Sequence, residues 1–120
     1  MKIAVPTNGE STKDQISKSF GRAKNFIIVD SDSMDFDILA NTQNVDSAQG
    51  AGIQAAQMII KAGADILITL NCGPKAYKVL STSGMLVYTG VDENILQNVS
   101  EYKASKLKSL DDANVDGHWV

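Results

Sequence analysis

Three side chains carry most of the chemistry this sequence offers: Cys72, His118 and Arg22. Cys72 is the single cysteine and stands in "TLNCGPKAY", residues 69–77, directly before Gly73 and Pro74. A thiol at a helix start feels the positive end of the helix field, which lowers its pKa and favours the thiolate that binds soft metals. Unpaired cysteines also serve as small buried hydrophobes, so Cys72 reads either as a ligand or as a packing residue. His118 is the single histidine, in "GHW" at 117–119, and is the other candidate metal ligand. Its stretch also reads as a loose terminus with a docked Trp119. Arg22 lies in "SFGRA", residues 19–23, where its planar fork of donors suits an anion, with a flexible Gly21 beside it and Phe20 anchoring the segment in the core. Its other reading is a solvated arginine.

Other chemistries find little support. Cys72 and His118 are far apart in sequence and nothing pairs them as nucleophile and base, so no catalytic residue is assigned and the chain reads as a non-enzyme. The first apolar run, "IAVPTNG", has no carboxylate for two-metal nuclease work. Asp30, Asp32, Asp35 and Asp37 suit a solvated turn. Neither "QGAG" nor "NCGPKA" completes a nucleotide fingerprint, so no nucleotide is expected.

The totals narrow the class further. With 120 residues and 43% hydrophobic content the chain fits one core, read as a single domain over 1–110 with an irregular tail over 111–120. A net charge of −3 gives nucleic acid little to bind. No stretch approaches membrane-spanning length, and the apolar run at the amino terminus is too short for a signal-peptide core, so no membrane contact and a cytoplasmic location are expected. One cysteine makes no internal disulfide, and any metal would need further ligands.

The elements follow from periodicity. "KIAVP" at 2–6 reads as a buried strand closing on a polar loop, and "NFIIVD" (25–30) with "FDILA" (36–40) as a hairpin around polar turn formers. Apolar residues at helical spacing define a helix over 51–62, with Gly63 as its left-handed cap. "ADILITL" (64–70) is apolar throughout, as a strand covered on both faces must be. Pro74 suits the first turn of a second helix, which Gly84 ends. "MLVY" (85–88) is another strand, and Asp92 and Glu93 open a third helix whose stripe is Ile95, Val99 and Tyr102. The stretch from Leu107 onward shows no periodicity. The order predicts an α/β domain with a mixed five-stranded sheet and about three helices: the first three strands form an antiparallel meander, and the last two run parallel to the first.

Such sheets bind ligands at the carboxyl ends of parallel strands. The first strand delivers Thr7 and Asn8 there, the central strand delivers Asn71, Cys72 and Gly73, and "QGAG" brings Gly50 and Gly52 to the start of the first helix. Backbone amides at helix starts attract anions, and glycine allows close approach. Lys75 reads as a solvated first-turn residue rather than a phosphate clamp, and its charge joins the candidate anion site. Thr7, Asn8, Arg22, Gly50, Gly52, Asn71, Gly73 and Lys75 are thus the candidate binding set, with Cys72 and His118 as candidate metal ligands.

"KIAVPTNG", "SFGRAKNFIIVD", "GAGIQAAQMIIKAGADILIT", "GPKAYKVL" followed by "GMLVY", and "NVDGHW" occur here in that order. Together they resemble the dinitrogenase iron-molybdenum cofactor binding family over nearly the whole chain. The resemblance implies a ribonuclease H-like three-layer domain without nuclease chemistry. It implies a carrier or accessory protein for an anionic iron–sulfur or iron–molybdenum–sulfur cluster, with a cofactor-assembly protein as a possible partner. The alternative is a module binding a small anion or a partner protein with no metal. Family members often have a histidine directly before the Phe-Gly-Arg-Ala segment, where this chain has Ser19. Others carry one in the loop before the first helix, where this chain has "NVDSAQ".

Overall fold

The computed structural model describes residues 1–41 and 50–111. Its sheet contains β1 (Lys2–Thr7), β2 (Asn25–Asp30), β3 (Phe36–Ala40), β4 (Ile66–Thr69), β5 (Leu86–Thr89) and β6 (Lys108–Ser109), in the order β3-β2-β1-β4-β5-β6. β1, β2 and β3 form the antiparallel meander, while β4 runs parallel to β1 and β5 parallel to β4. Three helices connect and cover these strands: α1 (Ala51–Lys61), α2 (Pro74–Thr82) and α3 (Ile95–Lys103).

The α/β class, the mixed sheet and the three helices are as the sequence leads one to expect. The strand count is not. Lys108 and Ser109 pair antiparallel with Thr89 and Tyr88, and the Leu110 N–H donates to the carbonyl of Val87 at 2.7 Å. A two-residue strand is too short to show the period-2 alternation by which strands are read from sequence. Trp119 and His118 lie outside the described residues.

The sheet separates two cores, and its central strands are apolar on both faces for that reason. On one side Ala4, Phe26, Ile28, Leu67 and Val87 pack against Ala55, Ala56 and Ile59 of α1 and Ala76 and Leu80 of α2. On the other, Ile3, Val5, Ile27, Val29, Ile66 and Ile68 pack against Ile95 and Val99 of α3. Full burial of each large side chain contributes roughly 1.5–3 kcal/mol before the ordering cost is counted.

α1 and α2 stop in the same way. Gly63 (φ 85°) and Gly84 (φ 88°) adopt the left-handed conformation, and the following N–H groups of Ala64 and Met85 reach back to the carbonyls of Ile59 and Leu80. That is the Schellman arrangement, for which glycine has no steric penalty. α3 starts differently from the sequence expectation. Asp92 and Glu93 precede it, and its cap is Asn94, whose side chain accepts from Gln97 N–H at 2.7 Å. The reason is Asn98, which is fully buried and accepts from Val91 N–H while donating to the carbonyls of Val91, Glu93 and Asn94. These bonds hold residues 91–94 as a loop and delay the helix.

Candidate functional site

β1, β4 and β5 run in one direction, so their carboxyl ends deliver three loops to the same edge of the sheet. The longest, residues 8–24, folds back on β1: Ser17 N–H donates to the carbonyl of Pro6, and Ile16 forms a bridge with Thr7. The Thr7 hydroxyl donates to the carbonyl of Gln15 at 2.7 Å and accepts from Gly9 N–H at 3.1 Å. Thr7 is fully buried, so it shapes the loop from below and presents nothing to a ligand.

Further along, the Asp14 carboxylate accepts from the N–H groups of Glu10 and Ser11. Those two backbone bonds stabilise its charged form and lower its pKa. Ser17 Oγ then accepts from Ser19 N–H, and Ser19 Oγ from Arg22 N–H. Ser19 therefore caps the tight turn at 20–23. Phe20 is buried and stacks at a tilt on Phe26, with ring centroids 5.3 Å apart, as expected of an anchor.

The result is an open cleft of about 640 Å³ lined by Asn8, Gly9, residues 14–19 and Arg22. Residues 8–24 hold Lys13, Lys18, Arg22 and Lys24 against Glu10 and Asp14, four cations against two carboxylates, a local +2 in a chain of net charge −3. Such a loop concentrates anions even though the molecule as a whole repels them.

The other loops brace this one. Asn71 donates its side-chain amide to the carbonyl of Lys18 at 2.7 Å. From the β5–α3 loop, Glu93 accepts from Ile16 N–H, and Asp92 accepts from the side chain of Gln15. Gly21 touches the start of α1 directly: a Cβ built on it would lie 2.7 Å from Gly52 N and 2.9 Å from Gly52 Cα. Gly21 is thus needed for close approach, not for the flexibility its neighbour Arg22 suggested. Gly50 caps α1 at φ 76° with no side-chain hydrogen bond.

Among the residues predicted from sequence, Asn8 and Arg22 line the cleft, Gly52 supports it from behind and Asn71 ties a neighbouring loop to it. Gly73 is the extended cap of α2, and Lys75 is exposed on that helix's first turn, outside the cleft lining. Cys72 is fully buried in the core beneath α1 and α2, with its Sγ 3.7 Å from the carbonyl of Gly73. Burial pushes its thiol up to about 12. The helix-field argument points the other way, but desolvation of a buried thiolate outweighs a partial helix charge. Among the described residues no group of three or more His, Cys, Asp or Glu side chains is placed to hold a metal ion.

Lys18, Ser17 and Ser19 also line the cleft without having been singled out by residue type. The signal for Lys18 was local charge, visible as four cations within twelve residues, Lys13 to Lys24, once the loop is taken as one unit.

The profile of the dinitrogenase iron-molybdenum cofactor family matches residues 1–105. The chain belongs to this family. It is 30% identical over 114 residues to an uncharacterized protein of Methanocaldococcus jannaschii, covering 92% of each chain. Among solved structures it is similar to the apo form of the orange protein from Desulfovibrio gigas, with 30% identity and a TM-score of 0.92 over 95% of this chain and 96% of that one. It is also similar to a Thermotoga protein described as NifB-like, with 27% identity and a TM-score of 0.83 over 97% and 98%. No helix among the described residues is long and apolar enough to cross a membrane.

Proposed function

We propose that this family member is a cytoplasmic, non-enzymatic carrier or accessory protein for a preformed anionic metal–sulfur cluster of the iron–sulfur or iron–molybdenum–sulfur type. The observation that carries the reading is the cationic cleft of residues 8–22, held by Arg22 and Lys18 at the ligand-binding edge of the sheet. The donor set fits a cluster held as a whole anion through charge and hydrogen bonds. Among the described residues no group of three or more His, Cys, Asp or Glu side chains is placed for a bare ion, and burial favours the protonated thiol of Cys72. On this reading Arg22, Lys18 and Asn8 face the cargo, Gly52 and Asn71 fix the loop, and Cys72 is a packing residue. A cofactor-assembly protein is the partner such a carrier delivers to.

Anaerobic mixing with a preformed molybdenum–iron–sulfur cluster, desalting and metal analysis test this. Stoichiometric retention is expected at low salt. Lys18→Gln with Arg22→Gln should weaken it by up to about thirtyfold, since each partly exposed charge is worth up to about 1 kcal/mol. No retention by the wild type, or retention indifferent to both substitutions and to salt, would sink the idea.

A further inference from the structure

β3 is one edge of the sheet, and among the described residues no strand pairs with its outer side. Asp30 N–H donates to the carbonyl of Asp35, and Asn41 N–H to that of Lys24, so the odd positions of this segment turn their backbone groups toward β2. Alternation then points the N–H and C=O groups of Phe36, Ile38 and Ala40 outward. The side chains of Phe36 and Ile38 stand on the α3 side, opposite Val29 and Ile27. Those two partners are fully buried, yet Phe36 and Ile38 remain 41% and 48% exposed. An unprotected edge with apolar side chains is a template for strand addition.

Its charge states what can be added. Between Asn25 and Ala40 the chain carries Asp30, Asp32, Asp35 and Asp37 and no lysine or arginine; the N-terminal ammonium lies 3.9 Å from Asp32 and Lys103 Nζ donates to the Ser31 carbonyl, so Asp35 and Asp37 are the charges nearest the edge itself. A second copy pairing in parallel through β3 would set Asp35 and Asp37 beside their own counterparts, which disfavours that pairing. An extended cationic segment gains where a copy loses.

We propose that β3 is a docking edge for an extended, lysine- or arginine-bearing segment of a partner protein with alternating apolar side chains, which adds to the sheet as a seventh strand. Backbone bonds to residues 36, 38 and 40 supply affinity, contact with Phe36 and Ile38 fixes the register, and the aspartates select the sign of the partner. This inference does not rest on the cluster reading, since β3 lines no part of the cleft.

The test uses ¹⁵N-labelled protein and two synthetic seven-residue peptides of alternating valine and threonine, one with lysine at both ends and one with glutamate. The lysine peptide should shift the amides of Phe36, Ile38 and Ala40 at millimolar concentration and slow their hydrogen exchange. The glutamate peptide should bind roughly tenfold more weakly, and the difference should shrink as salt rises. Asp35→Asn with Asp37→Asn should narrow the gap between the peptides. Ile38→Pro, which removes one outward N–H and leaves the β2 ladder intact, should abolish binding. If that variant does not fold, the two-peptide comparison on the wild type still decides. β3 amides unmoved by the lysine peptide, equal binding of both peptides, or a dimer formed through β3 without peptide would overturn the proposal.

Discussion

Replacing Gly21 with alanine puts a methyl group against backbone that cannot step aside. The nearest atoms to the new Cβ are Gly52 N at 2.7 Å, Gly52 Cα at 2.9 Å and the carbonyl carbon of Ala51 at 3.1 Å. Ordinary van der Waals contact begins at 3.4 Å, so the turn and the start of α1 must separate by up to 0.7 Å. Both are anchored, the turn by Phe20 in the core and the helix by Ala55, Ala56 and Ile59. Overpacking of this kind costs about 1–3 kcal/mol. Alanine also restricts the unfolded chain, which returns about 0.4–1 kcal/mol. The net loss should be about 1–2 kcal/mol, or about 3–8 °C in Tm for a domain of this size. Urea denaturation should show a lower midpoint with an unchanged m value. A variant as stable as the wild type or more so would refute the close packing of turn and helix, and would return Gly21 to the role of a flexible joint beside Arg22.

Three further outcomes are expected. Asn98→Ala takes the acceptor from Val91 N–H and one of the donors from the carbonyls of Val91, Glu93 and Asn94, each of which keeps a backbone donor, and should lower stability by about 1–3 kcal/mol in denaturant titration. Asp14 has a lowered pKa, chiefly through the Glu10 and Ser11 amides, so its stabilisation is complete above the ordinary carboxylate value of 3.8 and is lost as pH falls through the lower folded value. Asp30 behaves alike through the amides of Asp32 and Ser33. Asp14→Asn with Asp30→Asn keeps acceptors in place without the titration, and should flatten the acid limb of a stability curve below about pH 4. Finally, iodoacetamide at pH 7–8 should leave Cys72 unmodified in the folded protein and alkylate it readily in urea, read by mass spectrometry. Rapid modification of the native protein would contradict its burial.

Much of the fold was legible because its elements are locally consistent. β2 and β3 fall where β-branched and aromatic runs meet polar turn formers, and α1 and α2 end at the glycines that a left-handed cap requires. β6 escaped because two residues have no period. The start of α3 was misplaced by three residues because Asn98, a buried side chain four residues into the helix, decides it through tertiary bonds that no local pattern reveals. At the site the outcome was similar. Asn8 and Arg22 could be picked by type and position, whereas Lys18 gains meaning only when the loop folds back on Thr7. Gly21 and Gly52 each look like freedom in the sequence, and their shared contact exists only in space. Cys72 was ambiguous for a physical reason: two opposing influences act on a thiol at a helix start, and depth of burial decides between them.

The loops at the carboxyl edge are stitched into one body. The 8–24 loop accepts from Ile95 and Leu96 N–H groups at 2.9 Å through the carbonyls of Asp14 and Thr12, donates from Ile16 to Glu93, and accepts from Asn71 at Lys18. Loops tied together in this way should open as a cooperative unit, with amide protons exchanging at similar rates. Whatever settles against Lys18 and Arg22 stiffens the start of α3 as well. A reporter placed near Asn94, outside the cleft lining, would therefore read occupancy of the cleft without blocking it.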